Sequence, residues 1–255
     1  RHAHLQQNLE EARRRHQEVW RERFDDEENS LKHMEMAVEV SPEAREALWP
    51  LSRYYVQREL WAQAMPLLDV LSDQLTTEDE VDLRAETHRL LGRCSRELMD
   101  TERALEEYTR ARELVPSDLE VALGLGLLAA DAGQDDVART CLREVIDSGA
   151  RGLEDGELMK VHARLGECAF RAGDMDEARE HLEAALQSDG DNVSALRMVI
   201  AVLSNHGAWT EVLDHQRDLL DLLQDPVERF QLTVDMGDVH REHLGDNEEA
   251  ALCYE

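Results

Sequence analysis

The chain has 255 residues, 42% of them hydrophobic, enough to bury a large core either as one extended array or as two globular domains. Its formal charge is −29, from 57 acidic residues against 28 lysines and arginines, so phosphate backbones and anionic membranes meet repulsion and nucleic acid is not the expected partner. Five prolines and thirteen glycines interrupt a sequence dominated by Leu, Ala, Glu and Arg, the residues that lose least on entering a helix, and an all-α fold follows.

In chain order, Leu5, Leu9, Ala12, His16 and Val19 form one apolar stripe at helical spacing. Arg13 to Phe24, followed by Ser30, Ala37 and Pro42, fit the two halves of a helical hairpin, so residues 1–42 are expected to be an N-terminal helix and hairpin. From residue 43 a fixed spacing takes over, and such a period decides architecture before any local feature does. Leu51-Ser52 leads to Ala64 and Leu71. Leu91-Gly92 leads after twelve residues to Ala104, after seven more to Ala111 and after five more to Pro116. The same walk runs from Leu125-Gly126 to Ala138, Val145 and Ala150, and from Leu165-Gly166 to Ala178, Ala185 and Gly190. The copy from Leu51-Ser52 is weaker, as is one from Val199-Ile200 to Val212 and Leu219, and a sixth begins at Met236-Gly237 and reaches Ala250 with one residue inserted. A small residue midway along one helix lets its partner's Ala approach, so the two cross without a gap. Gly133-Gln134-Asp135, Gly173-Asp174-Met175-Asp176 and Gly245-Asp246-Asn247 supply the turns.

This pattern resembles the tetratricopeptide repeat family, best over Ala85 to Pro116, where Leu91, Gly92, Ala104, Tyr108, Ala111 and Pro116 stand in the family's places. Ser52, Ile200 and Val212 depart from it. The resemblance covers about Glu43 to Glu255 and implies a right-handed α-solenoid of about six to seven antiparallel helix hairpins, a scaffold that binds protein or peptide segments in its concave groove. A longer period of 74 residues relates His88-x-x-Leu91-Gly92-x-Cys94 to His162-x-x-Leu165-Gly166-x-Cys168. The six extra residues of alternate units fall near Leu75 to Leu83 and Ser148 to Glu157. The last hairpin stops at Tyr254-Glu255, before its second helix is finished, so the array is expected to continue beyond residue 255.

Cys94, Cys141, Cys168 and Cys253 stand far apart with no CxxC pair, which points to reduced structural thiols and a cytoplasmic setting. Only Lys32 and Lys160 are lysines, a bias that leans toward a bacterial origin. His240-x-x-His243 offers two imidazoles on one helical face, although eleven histidines make such a pair ordinary, and no metal or cofactor is expected. His88 and His162 are expected to pack against neighbouring hairpins. No phosphate loop, GxSxG elbow or HExxH is present, so catalysis has no candidate residues.

Placed in the family's register, the first helices put Arg53, Arg89, Arg93, Arg96, Lys160, Arg164, Arg171 and Arg197 on the inner face, interspersed with Glu46, Glu86, Glu97, Glu120, Asp131 and Glu167. Arginine forks suit carboxylates, so an acidic segment or a free C-terminus is the expected ligand class. Arg89, Lys160 and Arg164 resemble the basic part of the carboxylate clamp of chaperone-binding members, whose two asparagines are replaced here by Arg93 and Gly124. Leu127, Phe170 and Met198 are the expected exposed apolar contacts of the same face. A solvated, salt-bridged surface is the plainer reading of these charges. Two other functions stay open: the recruiting or regulatory arm of a larger enzyme whose catalytic domain lies outside this chain, and self-association of uncapped repeats.

Overall fold

The structure, a computed structural model, describes residues 27–76, 80–150 and 152–255. The N-terminal stripe and the half-hairpin Arg13 to Phe24 lie outside the described residues. Regular structure among those described is entirely helical: α1 (Glu27–Val40), α2 (Arg45–Gln57), α3 (Trp61–Gln74), α4 (Val81–Glu97), α5 (Thr101–Leu114), α6 (Leu119–Asp131), α7 (Asp135–Asp147), α8 (Asp155–Ala172), α9 (Met175–Ser188), α10 (Val193–His206), α11 (Trp209–Leu222), α12 (Pro226–Asp238) and α13 (Asn247–Tyr254), with a π-helical segment, Val239–Leu244, continuing α12. The chain divides into two compact units, residues 1–116 and 117–255. The first holds α1 and the hairpins α2–α3 and α4–α5. The second holds the hairpins α6–α7, α8–α9, α10–α11 and α12–α13. Each unit is thus an all-α run of antiparallel helix hairpins, as the resemblance to the tetratricopeptide repeat family implies.

The anchors of the repeat are the core of each hairpin. Leu51, Leu91, Leu125, Leu165, Val199 and Met236 are buried on the first helices, and Ala64, Ala104, Ala138, Ala178, Val212 and Ala250 on the second. What lies over Gly92, Gly126 and Gly166 is the side chain sixteen places on. A Cβ built at Gly92 would stand 2.9 Å from the Tyr108 ring, at Gly126 2.7 Å from Leu142, and at Gly166 2.7 Å from Leu182. Where Ile200 replaces the glycine, the residue sixteen on is Gln216, also buried. The extra residues of alternate units lengthen the first helix: α4 has 17 residues and α8 has 18, against 13 in α2 and α6.

Every hairpin but the last turns on a left-handed residue seven places after the small one, or after Ile200 where that replaces it: Glu59, Met99, Gly133, Gly173 and Gly207. Three glycines supply this turn in the second unit, but in the first it falls on Glu59 (φ 59°) and Met99 (φ 63°), which no glycine signal reveals. A side chain costs about 1–2 kcal/mol in that conformation, more than the entropy a glycine loses on folding, about 0.5–1 kcal/mol. Met99→Gly and Glu59→Gly are therefore expected each to stabilise the first unit slightly, by roughly 0.5 kcal/mol, measurable as a raised thermal midpoint. A lowered midpoint in both would show that these side chains make contacts worth more than the strain.

The last hairpin contains the inserted residue. Its left-handed Gly245 stands eight places after Gly237, and Tyr254, seventeen places on, covers Gly237, whose added Cβ would meet the ring at 2.5 Å. The insertion is taken up by the π-helical turn Val239–Leu244, which leaves the turn and the N-cap of α13 as in other hairpins. This also separates the predicted histidine pair: His240 is buried, whereas His243 is exposed and lies flat on Trp209, ring centroids 3.5 Å apart and planes within 9°. The wider turn removes the common face that ordinary helical spacing predicts.

Candidate protein-interaction surface

The basic residues expected on the inner face divide between the two units, and their local chemistry differs. In the first unit Arg53 on α2 and Arg93 on α4 occupy the same repeat position, immediately after the small residues Ser52 and Gly92. Arg53 lies over the Trp49 ring, 5.8 Å from its centroid, and Arg93 over the Trp61 ring at 5.3 Å. Both tryptophans pack on one buried cluster that includes Leu48, Ala64, Leu68 and Leu91. The rings are therefore anchored. Among the described residues neither guanidinium has a carboxylate within ion-pair distance. A guanidinium held at cation–π distance from a ring keeps N–H donors for a planar acceptor. Arg89, in the same helix, is 3.6 Å from Glu86, and Arg96 donates to Glu97 at 2.7 Å.

In the second unit most of the expected cations are engaged. Arg164 reaches Asp131 and Glu167, each at 2.8 Å, Arg171 reaches Asp135 at 2.6 Å, and Arg197 reaches Glu228 at 2.8 Å. These bonds tie α8 to α6 and α7, and α10 to α12. The bond from Arg171 holds the Asp135 carboxyl below its ordinary range. Lys160 is exposed and has no carboxylate within ion-pair distance among the described residues. Leu127, Phe170 and Met198, expected to be exposed, are half-buried: Leu127 packs on Leu142, Val161 and Leu165, and the other two on the cluster around Ala178, Leu182 and Val199. They share the groove register, but that register also faces the neighbouring hairpin.

A second set of arginines, on the odd-numbered helices, follows no pattern visible in the sequence. Arg103 bonds Asp69, Arg139 bonds Asp174 and Glu177, and Arg179 bonds Glu211, each linking a second helix to the next. Burial pushes the Glu177 carboxyl up, but bonds from Arg143 and Arg139 outweigh it and leave its pKa lowered. The thiols of Cys94 and Cys168 are buried two places after the small glycine, and burial pushes each up to about 11, which suits packing and not nucleophilic work. Among the described residues no helix is long and apolar enough to cross a membrane, and no three His, Cys, Asp or Glu side chains are placed to hold a metal ion.

Two family models, both described as Tetratricopeptide repeat, match residues 89–152 and 159–192. Among solved structures, YrrB, described as a TPR protein with an unusual peptide-binding site, is 17% identical with a TM-score of 0.53 over 66% of this chain and 82% of its own. MamA AMB-1 is 22% identical with a TM-score of 0.55 over 68% of this chain and 94% of its own. MamA MSR-1 gives 21% and 0.54 over 69% and 94%. At such identities the likeness is one of fold. No curated protein matches the chain.

Proposed function

This chain is built of tetratricopeptide repeats, and from that premise we propose that it is a protein-interaction scaffold whose first unit captures an acidic segment of a partner protein on the face carrying Arg53, Arg89 and Arg93. The observation that carries this reading is the contrast in how arginines are used. Arg53 and Arg93 are braced on anchored tryptophans with no carboxylate partner among the described residues, whereas Arg164, Arg171 and Arg197 are occupied. An incoming carboxylate needs no displacement of an internal acid at the first two positions. At the others it exchanges one ion pair for another, which gains little.

The strongly acidic body opposes approach of an acidic ligand at long range. At physiological salt that repulsion is screened beyond about 8 Å, while a bidentate contact acts well inside this distance. The reduced, buried thiols Cys94, Cys141 and Cys168 fit work in the cytoplasm, where we place the protein.

The test is fluorescence anisotropy with labelled 12-residue peptides, one acidic with interspersed leucines, one neutral and one basic. The acidic peptide is expected to bind best, and Arg53→Glu with Arg93→Glu to weaken it by at least tenfold, about 1.4 kcal/mol, without loss of helicity. Arg164→Glu with Arg197→Glu is expected to cost much less. Preference for the basic peptide, or equal losses from the two double variants, would refute the assignment.

A further inference from the structure

The 74-residue period pairs positions across the two units, and at one pair the chemistry is opposite. In the hairpin α4–α5, His88 stands four places before Gly92, and its Nδ1 lies 2.6 Å from Glu107 Oε2, on the residue just before Tyr108. In α8–α9, His162 stands four places before Gly166, and its Nδ1 lies 3.1 Å from Nδ1 of His181, on the residue just before Leu182. One seat between first and second helix thus holds a carboxylate in one unit and an imidazole in the other. Glu107 and His181 are both buried, and His88 and His162 are half-buried.

These two pairs respond to protons in opposite ways. A positive charge on His88 would face a carboxylate, which also accepts from Arg110 at 2.8 Å, so that seat sets opposite charges together. At the second seat the neutral pair is joined by one Nδ1–H donating to one bare Nδ1. A first proton can enter at the free Nε2 of the donor ring, but it places a charge where the partner is another imidazole. A second proton sets two N–H donors and two positive charges face to face at hydrogen-bonding distance. The charged groups acting on the rings are Glu180 and Glu177 of α9 and Arg143 and Asp147 of α7. Those acids favour protonation, yet burial of both rings, aided at His162 by His181 itself, outweighs them and lowers both values below the ordinary 6.5.

We propose that the α8–α9 hairpin is an acid-sensitive element of the scaffold: below about pH 6.5 it loosens while its counterpart α4–α5 holds. The sign follows from proton counting. With native values lowered, the unfolded hairpin binds more protons than the folded one, so stability falls as pH drops through the ordinary histidine value and toward the lowered one. Acidification thereby changes the second unit, which carries Lys160 and Arg164 on α8, without a matching change in the first.

Hydrogen exchange read by mass spectrometry on the full chain, at pH 7.5 and 5.5 with intrinsic rates corrected, tests this directly. Peptides from α8 and α9 are expected to lose at least tenfold in protection relative to those from α4 and α5. His181→Glu, which copies the first unit's pair, is expected to abolish the loss, and Glu107→His to create it in α4–α5. If His181→Glu does not fold, His181→Gln keeps a hydrogen-bonding neighbour without the second charge and is expected to abolish the loss as well. Equal changes in both hairpins, or a loss that survives replacement of His181, would overturn the proposal.

Discussion

Gly166→Val is expected to lower the thermal midpoint of the second unit by on the order of 10 °C, corresponding to about 3 kcal/mol in a unit of this size. The cause is space: a Cβ at this position comes within 2.7 Å of Leu182 Cγ and 3.1 Å of the Leu182 backbone nitrogen. A side chain end could swing away, but the backbone of α9 cannot move without parting the hairpin. Valine's better helix propensity returns only roughly 0.5 kcal/mol, so the clash decides the sign. Gly156, in the same helix with nothing within 4 Å of an added Cβ, is the control; Gly156→Ala is expected to be neutral or stabilising by about 0.5–1 kcal/mol. Circular dichroism melting measures both. A Gly166→Val chain that melts like the control would remove close approach as the reason for the glycine.

Leu182→Ala attacks the same contact from the other side. Leu182 is fully buried in the cluster formed with Ala169, Ala178, Val199 and Leu203, and emptying such a site costs about 3 kcal/mol. The two faces of the contact are coupled. Gly166→Ala puts a methyl group into the space that Leu182→Ala vacates, so the double variant is expected to be less destabilised than the two single variants summed, by about 1 kcal/mol or more. Strict additivity in chemical denaturation would mean that the small and large positions do not pack on each other.

The hairpins are legible in the sequence because their governing constraint, side-chain volume at Leu91, Gly92, Ala104 and Ala111, recurs at a fixed local spacing. The single insertion in the last hairpin shows in the same spacing. What stays hidden is anything settled by a partner in another hairpin. Arg164, Arg171 and Arg197 are placed correctly on first helices, yet Asp131, Asp135 and Glu228, which occupy them, stand 31 to 36 residues away or on another helix, and a tally of basic residues does not reveal them. His88 and His162 are recognisable as equivalent, but the difference between them lies at Glu107 and His181. The turns at Glu59 and Met99 escape because their left-handed backbone carries no glycine.

The π turn in the last hairpin has a consequence for homology as well as for packing. One residue added to an α-helix rotates everything after it by about 100°, which would point the rest of the hairpin away from its neighbours. Here the wider turn absorbs the slip, and the Asp246 carboxylate still accepts from the Glu249 backbone N–H at 3.1 Å, as Asp174 does from Glu177 at 3.4 Å. The helix therefore keeps two reading frames, one up to Asp238 and another, shifted by one, from Gly245 onward. A gapless repeat template laid over this hairpin assigns Arg241, Glu242 and His243 to their neighbours' roles. An insertion stored inside a helix leaves no lengthened loop to announce it, so solenoids can drift in length by single residues while their turns stay in step.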